Sequence, residues 1–257
     1  MGNNKSIEEI ENYYNNFLSY LVKDRIYPNK RHIHIKGIVK KFINKGDIVL
    51  DLGCGIGITT EFIKNRGADV VGMDISPEII KYARKTVPNV EFICEDILNI
   101  NLKKKFDVIC IFDCLEHVTK DKYEKLFAIL KEHSKPKAKI LITIPNPLAI
   151  EKIRNTNPRE LQIVDESIFF SDLIPIIQKN GFIIRRLELY GIDYKDEYYF
   201  INLEYLPVAF EIQPLHKSNV FLKLLFPFRY ISYIYRKMKY SSLIYIVLFF
   251  LICCHCF

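Results

Sequence analysis

The residues best suited to chemistry begin in one short stretch. Asp51-Leu52-Gly53-Cys54-Gly55-Ile56-Gly57 directly follows an apolar run and opens an amphipathic one. Glycines at such a junction let the backbone turn sharply and approach a ligand closely. The spacing is GxGxG, not GxGxxG, because Ile58 stands where a dinucleotide fingerprint would have its last glycine. That fingerprint seats a pyrophosphate on a helix N-terminus. Here Asp51 sets a carboxylate at the loop entrance, which would repel phosphate and suits an ammonium group. Asp74 ends the next apolar run, where a carboxylate can accept both ribose hydroxyls. Asp96 follows the third run, placed to accept an exocyclic amine. Together these groups fit an adenosine that carries a cationic amino-acid arm and no phosphate.

A second cluster follows the fourth apolar run, at Phe112, Asp113, Glu116 and His117. If that stretch is helical, Asp113, Glu116 and His117 share one face. Two carboxylates and an imidazole converging there can bind a divalent metal, or His117 can serve as general base.

The elements that must position these residues alternate regularly. DIVLDLG, ADVVGMD, NVEFICED, FDVICIFD, AKILITIPN and FIIRRLELYG read as six buried strands. Between them TTEFIKNRG, a helix capped by Ser76-Pro77, DKYEKLFAILKEH and SIFFSDLIPIIQKNG read as helices. Such alternation predicts an α/β fold, a Rossmann-like, mostly parallel sheet with helices on both faces. Ahead of it, Ser6 and Glu9 form a capping box for a helix ending near Lys23, with Ile7, Ile10, Phe17, Leu18 and Leu21 on one face. A connector containing Arg31, His32 and His34 leads into a second helix that runs to about Asn44. It reads equally as a lid over the site and as a solvated helix start.

The motif series VLDLGCGIG, VVGMDIS, CEDIL and FDVICIFDCLEHV resembles class I S-adenosylmethionine-dependent methyltransferases, in the type 11/23 and ubiquinone-type O-methyltransferase group. The resemblance covers roughly residues 48–190. It implies a seven-stranded sheet, with S-adenosylmethionine as cofactor. It places the methionine arm on Asp51, Gly53, Cys54, Gly55 and Gly57, the ribose on Asp74, and the adenine against Ile75, Asp96 and Ile97. Asp113-x-x-Glu116-His117 is similar to the E-x-x-E-H of ubiquinone-pathway O-methyltransferases and small-RNA 2′-O-methyltransferases, where those side chains support a metal. Aspartate in the first position draws its carboxylate back by about 1.5 Å. No metal ligand is therefore assigned, and Asp165-Glu166 lies in about the region of the family's further ligand. Asp113, Glu116 and His117 remain the expected catalytic residues, and Asn146 is placed to face the acceptor.

Methyl transfer asks mainly for alignment and exclusion of water, and a base only where the acceptor has a proton to lose. The expected reaction is transfer to a small-molecule or lipid-like acceptor at oxygen. An RNA methyltransferase and a non-catalytic scaffold on the same fold are the alternatives. Nucleic acid is not the expected partner, because no RNA-binding module flanks the core.

The chain has 257 residues, 49% apolar and 26% charged, enough for one packed core. Its net charge of +7 is concentrated at one end. From Ile212 to Phe257 there is no acidic residue, against Lys217, Lys223, Arg229, Arg236, Lys237 and Lys239. Seven cysteines, an odd number, argue against a disulfide framework. The opening MGNNKSIEEIENYY lacks the apolar stretch of a secretory signal, so a cytoplasmic location is expected.

Three segments follow: an N-terminal helical lid, 1–44; the cofactor-binding core, 45–190; and a basic, aromatic extension, 191–257. The extension is expected to supply the last strand and a basic amphipathic helix. SLIYIVLFF fits that strand, with EYYFINLEYL as a rival. The fifteen uncharged residues Leu243 to Phe257 would span about 22 Å as a helix, short of the roughly 30 Å of a bilayer core. Peripheral membrane contact is the remaining role for the tail, through interfacial aromatics or acylation of Cys253, Cys254 and Cys256.

Overall fold

A computed structural model describes residues 5–27 and 29–207. Two helices come first, α1 (Ile7–Ile26) and α2 (Lys30–Phe42). The repeating part runs β1 (Ile48–Leu52), α3 (Ile58–Asn65), β2 (Asp69–Asp74), α4 (Pro77–Thr86), β3 (Glu91–Cys94) and β4 (Phe106–Phe112). It continues through α5 (Tyr123–His133), β5 (Ser134–Pro145), α6 (Pro147–Thr156), α7 (Phe170–Lys179), β6 (Phe182–Tyr190) and β7 (Tyr198–Tyr205).

Local chemistry explains most boundaries. The capping box is present: Glu9 N–H donates to Ser6 Oγ at 3.1 Å, and Ser6 N–H to Glu9 Oε2 at 2.8 Å. Ser76 caps α4, with Pro77 at its first position. Helix α6 was not anticipated. Asn146, expected to face the acceptor, is instead its cap, accepting from Leu148 N–H at 3.0 Å while its amide donates to Asp196 O.

The seven strands lie in the order β3-β2-β1-β4-β5-β7-β6, all parallel except β7, which runs antiparallel to β5 and β6. Both faces of the sheet's centre are covered, so strands such as β4 are continuous apolar runs, whereas the edge strand β6, read as buried in the sequence, is largely exposed beyond Phe182. On one face Leu50, Leu52, Ile109, Ile111 and Ile142 pack with Phe127 and Leu130 of α5 and Leu173 and Ile177 of α7. On the other, Val49, Val108, Leu141 and Phe200 pack with Ile38 and Val39 of α2 and Ile63 of α3.

The seventh strand corrects the sequence reading. Its slot between β5 and β6 is filled by residues 198–205, the rival candidate, and not by SLIYIVLFF. SLIYIVLFF, the basic stretch before it and Cys253, Cys254 and Cys256 lie outside the described residues. Among the described residues no helix is long and apolar enough to cross a membrane.

Because β7 is central rather than peripheral, its buried side chains should matter strongly. Leu203 is fully buried, and Leu203→Ala is expected to cost about 2–5 kcal/mol, read from the urea unfolding midpoint.

Candidate active site

The strand order reverses between β1 and β4, and an open α/β sheet places its ligands at the carboxyl ends of strands at such a point. Gly53 leaves β1 there with φ +69°, and a Cβ on it would lie 2.8 Å from Cys114 Cβ. Glycine is therefore required twice over, by conformation and by the close approach of the segment after β4. Gly55, at φ +54°, is different: a Cβ there would meet no protein atom within 4 Å. It faces open space.

That space is a cavity of about 220 Å³. Gly53, Gly55, Asp74, Ile75, Asp96 and Ile97 line one side, and Asp113, Cys114, Glu116 and His117 line another. Asp74 Oδ2 accepts from Gly55 N–H at 3.0 Å and Oδ1 from Ser76 N–H at 3.1 Å. Burial raises the Asp74 pKa, and these backbone donors oppose the rise. Asp96, just past β3, accepts from Leu98 N–H at 2.9 Å.

Three residues expected at the cofactor do not line the cavity. Asp51 is 2% exposed and accepts from Thr60 Oγ1 at 2.7 Å, beneath the loop rather than at its entrance. Burial pushes its pKa up to about 7. Cys54 turns its thiol into an apolar cluster with Ile80, Val87 and Phe92. Gly57 starts α3 at φ +81°, where a Cβ would press on Phe92 and Val87 at 3.1 Å.

The second cluster also departs from expectation. Residues 115–117 form a single 3-10 turn, and Asp113 precedes it at φ +49°, so the three side chains do not share a helix face. The Asp113 carboxylate accepts from Thr143 Oγ1 at 2.8 Å and pairs with Arg31 at 3.6 Å. Glu116 is 3% exposed, and its Oε2 has no hydrogen-bond partner. His117 Nδ1 faces two acceptors, Val164 O at 2.7 Å and Asp165 Oδ1 at 3.0 Å, and therefore carries a proton. Burial alone would lower the His117 pKa. The bond to Asp165 and the charges of Glu116 and Asp165 outweigh it and push it up to about 9. Burial raises the pKa of Glu116. Among the described residues no group of three or more His, Cys, Asp or Glu side chains is arranged to hold a metal ion.

Comparison with known proteins agrees with this architecture. A family model described as a methyltransferase domain matches residues 49–137. A protein of Invertebrate iridescent virus 6 that bears a methyltransferase name is 29% identical over 193 residues, 69% of this chain and 72% of its own. The ubiquinone biosynthesis O-methyltransferase of Coxiella burnetii (strain Dugway 5J108-111) is 27% identical, over 63% of this chain and 74% of its own. Magnesium protoporphyrin IX methyltransferase from Synechocystis PCC 6803, solved with S-adenosylhomocysteine, superposes with a TM-score of 0.62 at 17% identity. That match covers 77% of this chain and 99% of the other and speaks to the fold.

Residues 49–137 are a methyltransferase domain, and the findings together support a class I S-adenosylmethionine-dependent methyltransferase. The protein is an enzyme, and S-adenosylmethionine is its cofactor. The cavity suits that molecule: an opening at Gly55, carboxylates at Asp74 and Asp96, and unpartnered polar atoms on Tyr14 and Glu116.

Two features of this methyltransferase were anticipated only in part. The lid is chiefly α1, which lines the cavity with Ile7, Ile10, Tyr14, Phe17 and Leu21. Of Arg31, His32 and His34 only Arg31 reaches it, while His34 stacks on Tyr190 with ring centroids 3.9 Å apart. The apolar stripe of α1 was visible at helical spacing, but nothing in it told what it covers. The second feature is Asp165, which meets His117 directly across 47 residues of sequence. Arg154 holds the neighbouring loop by donating to Asp165 O and, at 2.8 Å, to Ser167 Oγ.

The Asp165–His117 pair gives a signed pH effect. A histidine held above its ordinary 6.5 contributes stability that is complete below that pH and is lost as pH rises through about 9. Asp165→Asn should lower the His117 pKa by about one to three pH units, read by NMR titration. Its stability cost in urea should be largest near pH 6 and shrink toward pH 10.

Proposed function

We propose that this methyltransferase acts on a small-molecule or lipid-like acceptor at oxygen, with His117 as the base. The observation that carries the reading is the Asp165–His117 pair on the wall of the same cavity as Gly53, Gly55 and Asp74. The Coxiella burnetii relative, named for methylation at oxygen, lends support.

When bound, S-adenosylmethionine supplies a methyl group already activated on a sulfonium. Gly53 and Gly55 would lie along its amino-acid arm, Asp74 would accept from the ribose hydroxyls, Ile75 and Ile97 would flank the adenine, and Asp96 would accept from its amine. Asp51 supports the loop from below through Thr60. The protein's remaining task is to align the acceptor, keep water out and receive one proton.

Nδ1 of His117 is committed to Asp165 and Val164 O, which fixes the ring and leaves Nε2 to receive the acceptor's proton. With its pKa near 9, His117 is mostly protonated at neutral pH. Turnover should therefore rise with pH toward about 9, as the neutral imidazole becomes available. Glu116, beside it and without a partner on Oε2, can accept from the acceptor hydroxyl and hold it in place. Arg31, paired to Asp113, closes the acceptor end of the cavity.

The test is calorimetric titration with S-adenosylhomocysteine, followed by methyl transfer to a panel of hydroxylated small molecules. Asp74→Asn should weaken binding at least about tenfold, the loss of hydrogen bonds to a charged group. His117→Asn should leave S-adenosylhomocysteine binding within about twofold, slow turnover on any acceptor found, and abolish the rise with pH. Equal loss of binding in the His117 variant would make that residue structural and remove the base from the reading.

A further inference from the structure

Helix α1 holds an apolar stripe that the described residues cover only in part. Ile7, Ile10, Tyr14, Phe17 and Leu21 recur at helical spacing and face the cavity, yet no residue of α1 is fully buried. Its attachments to the core are few. The Tyr14 ring, Leu18 and Leu21 pack against Ile56, Ile58 and Ile79. Arg25 pairs with Glu61 at 3.0 Å and donates to Thr86 O at 3.2 Å. Asn15 Oδ1 accepts from Ser76 Oγ at 2.7 Å.

Within that stripe one polar atom stands out. The hydroxyl of Tyr14 is buried and has no hydrogen-bond partner. A buried hydroxyl has lost its water and gained nothing in return, so a native one points to a group that is not protein. The Tyr14 ring packs near His117, with centroids 6.1 Å apart, and the side chain lies among Cys114, Asp74, Asp165 and Glu116. Burial and these carboxylates keep the phenol protonated, so it can donate. Cys114 and Asp74 are the groups that meet Gly53 and Gly55, which puts the hydroxyl over the cofactor half of the cavity.

We infer that Tyr14 is a cofactor-binding residue supplied by the lid: its hydroxyl donates to an oxygen of bound S-adenosylmethionine or S-adenosylhomocysteine, and occupancy of the site draws α1 down. The inference rests on the reading of this cavity as the cofactor site. It adds the lid to that site. Binding and closure are then linked, because the contact exists only with α1 in place.

The experiment compares the full chain with Tyr14→Phe and Tyr20→Phe, using S-adenosylhomocysteine as the probe. Tyr20 lies on the same helix and is 55% exposed. Tyr14→Phe should weaken binding about five- to tenfold, the loss of one hydrogen bond, while Tyr20→Phe binds as the parent does. Without ligand, the Tyr14→Phe protein should melt no lower than the parent, since its lost hydroxyl had no partner; a merely structural role would lower it. Amide exchange over residues 7–26 should slow when S-adenosylhomocysteine is added to the parent and slow less in Tyr14→Phe. If the parent binds and Tyr14→Phe binds equally well, the inference is overturned while the cofactor site stands. If the folded parent binds no S-adenosylhomocysteine, the site assignment itself fails and takes the inference with it.

Discussion

One carboxylate joins the parts of this site. Asp74 accepts from Gly55 N–H with one oxygen and from Ser76 N–H with the other. The first bond fixes the glycine loop leaving β1, and the second fixes the turn that starts α4. Ser76 extends the connection, since its hydroxyl accepts from Ile79 N–H and donates to Asn15 of the lid. Loop and helix cap are thus each one hydrogen bond from the Asp74 side chain, and the lid is one further bond away through Ser76. Both carboxylate oxygens retain lone pairs toward the cavity, so the group that organises the protein is also free to bind.

Holding so many carboxylates in one place has an electrostatic cost. Asp51, Asp74 and Glu116 are all held above the ordinary carboxylate range, each chiefly by burial. The protein offsets this locally, with Thr60 on Asp51, backbone N–H groups on Asp74 and the His117 ring beside Glu116. It does not offset it fully: Glu116 Oε2 has no partner. A ligand bearing positive charge and hydrogen-bond donors completes what the side chains leave undone, which is why the cavity favours a sulfonium nucleoside over a phosphate.

The sheet was legible in the sequence because its central strands are covered on both faces and so appear as unbroken apolar runs between helix signals. Asp74 and Asp96 were legible because each closes such a run, where ligands gather. Other features depend on information that runs do not carry. Asp51 ends in the same kind of run, but its side chain shares a face with Val49 and turns beneath the loop to Thr60. Residues 113–117 have helical spacing, yet Asp113 adopts a left-handed conformation, stabilised by its bonds to Thr143. Two segments had strand composition for the seventh position. Register against β5, from Lys139 with Glu204 to Pro145 with Tyr198, belongs to the pairing and not to either segment alone.

The sequence suggested a helical lid over 1–44 without telling which of its faces covers the cavity, and both facts have one cause. Its capping box and spacing are local, so they survive any tertiary context. Its apolar stripe signals only that something lies beneath. In most helices that something is core. Here Ile10, Tyr14 and Phe17 stand over a cavity, and among the described residues the helix is held by one ion pair, two hydrogen bonds and a small cluster that takes in Tyr14, Leu18 and Leu21. Such sparse anchoring would be a defect in a structural helix. A reaction that must exclude water yet exchange cofactor and product is served by a cover that is held this lightly.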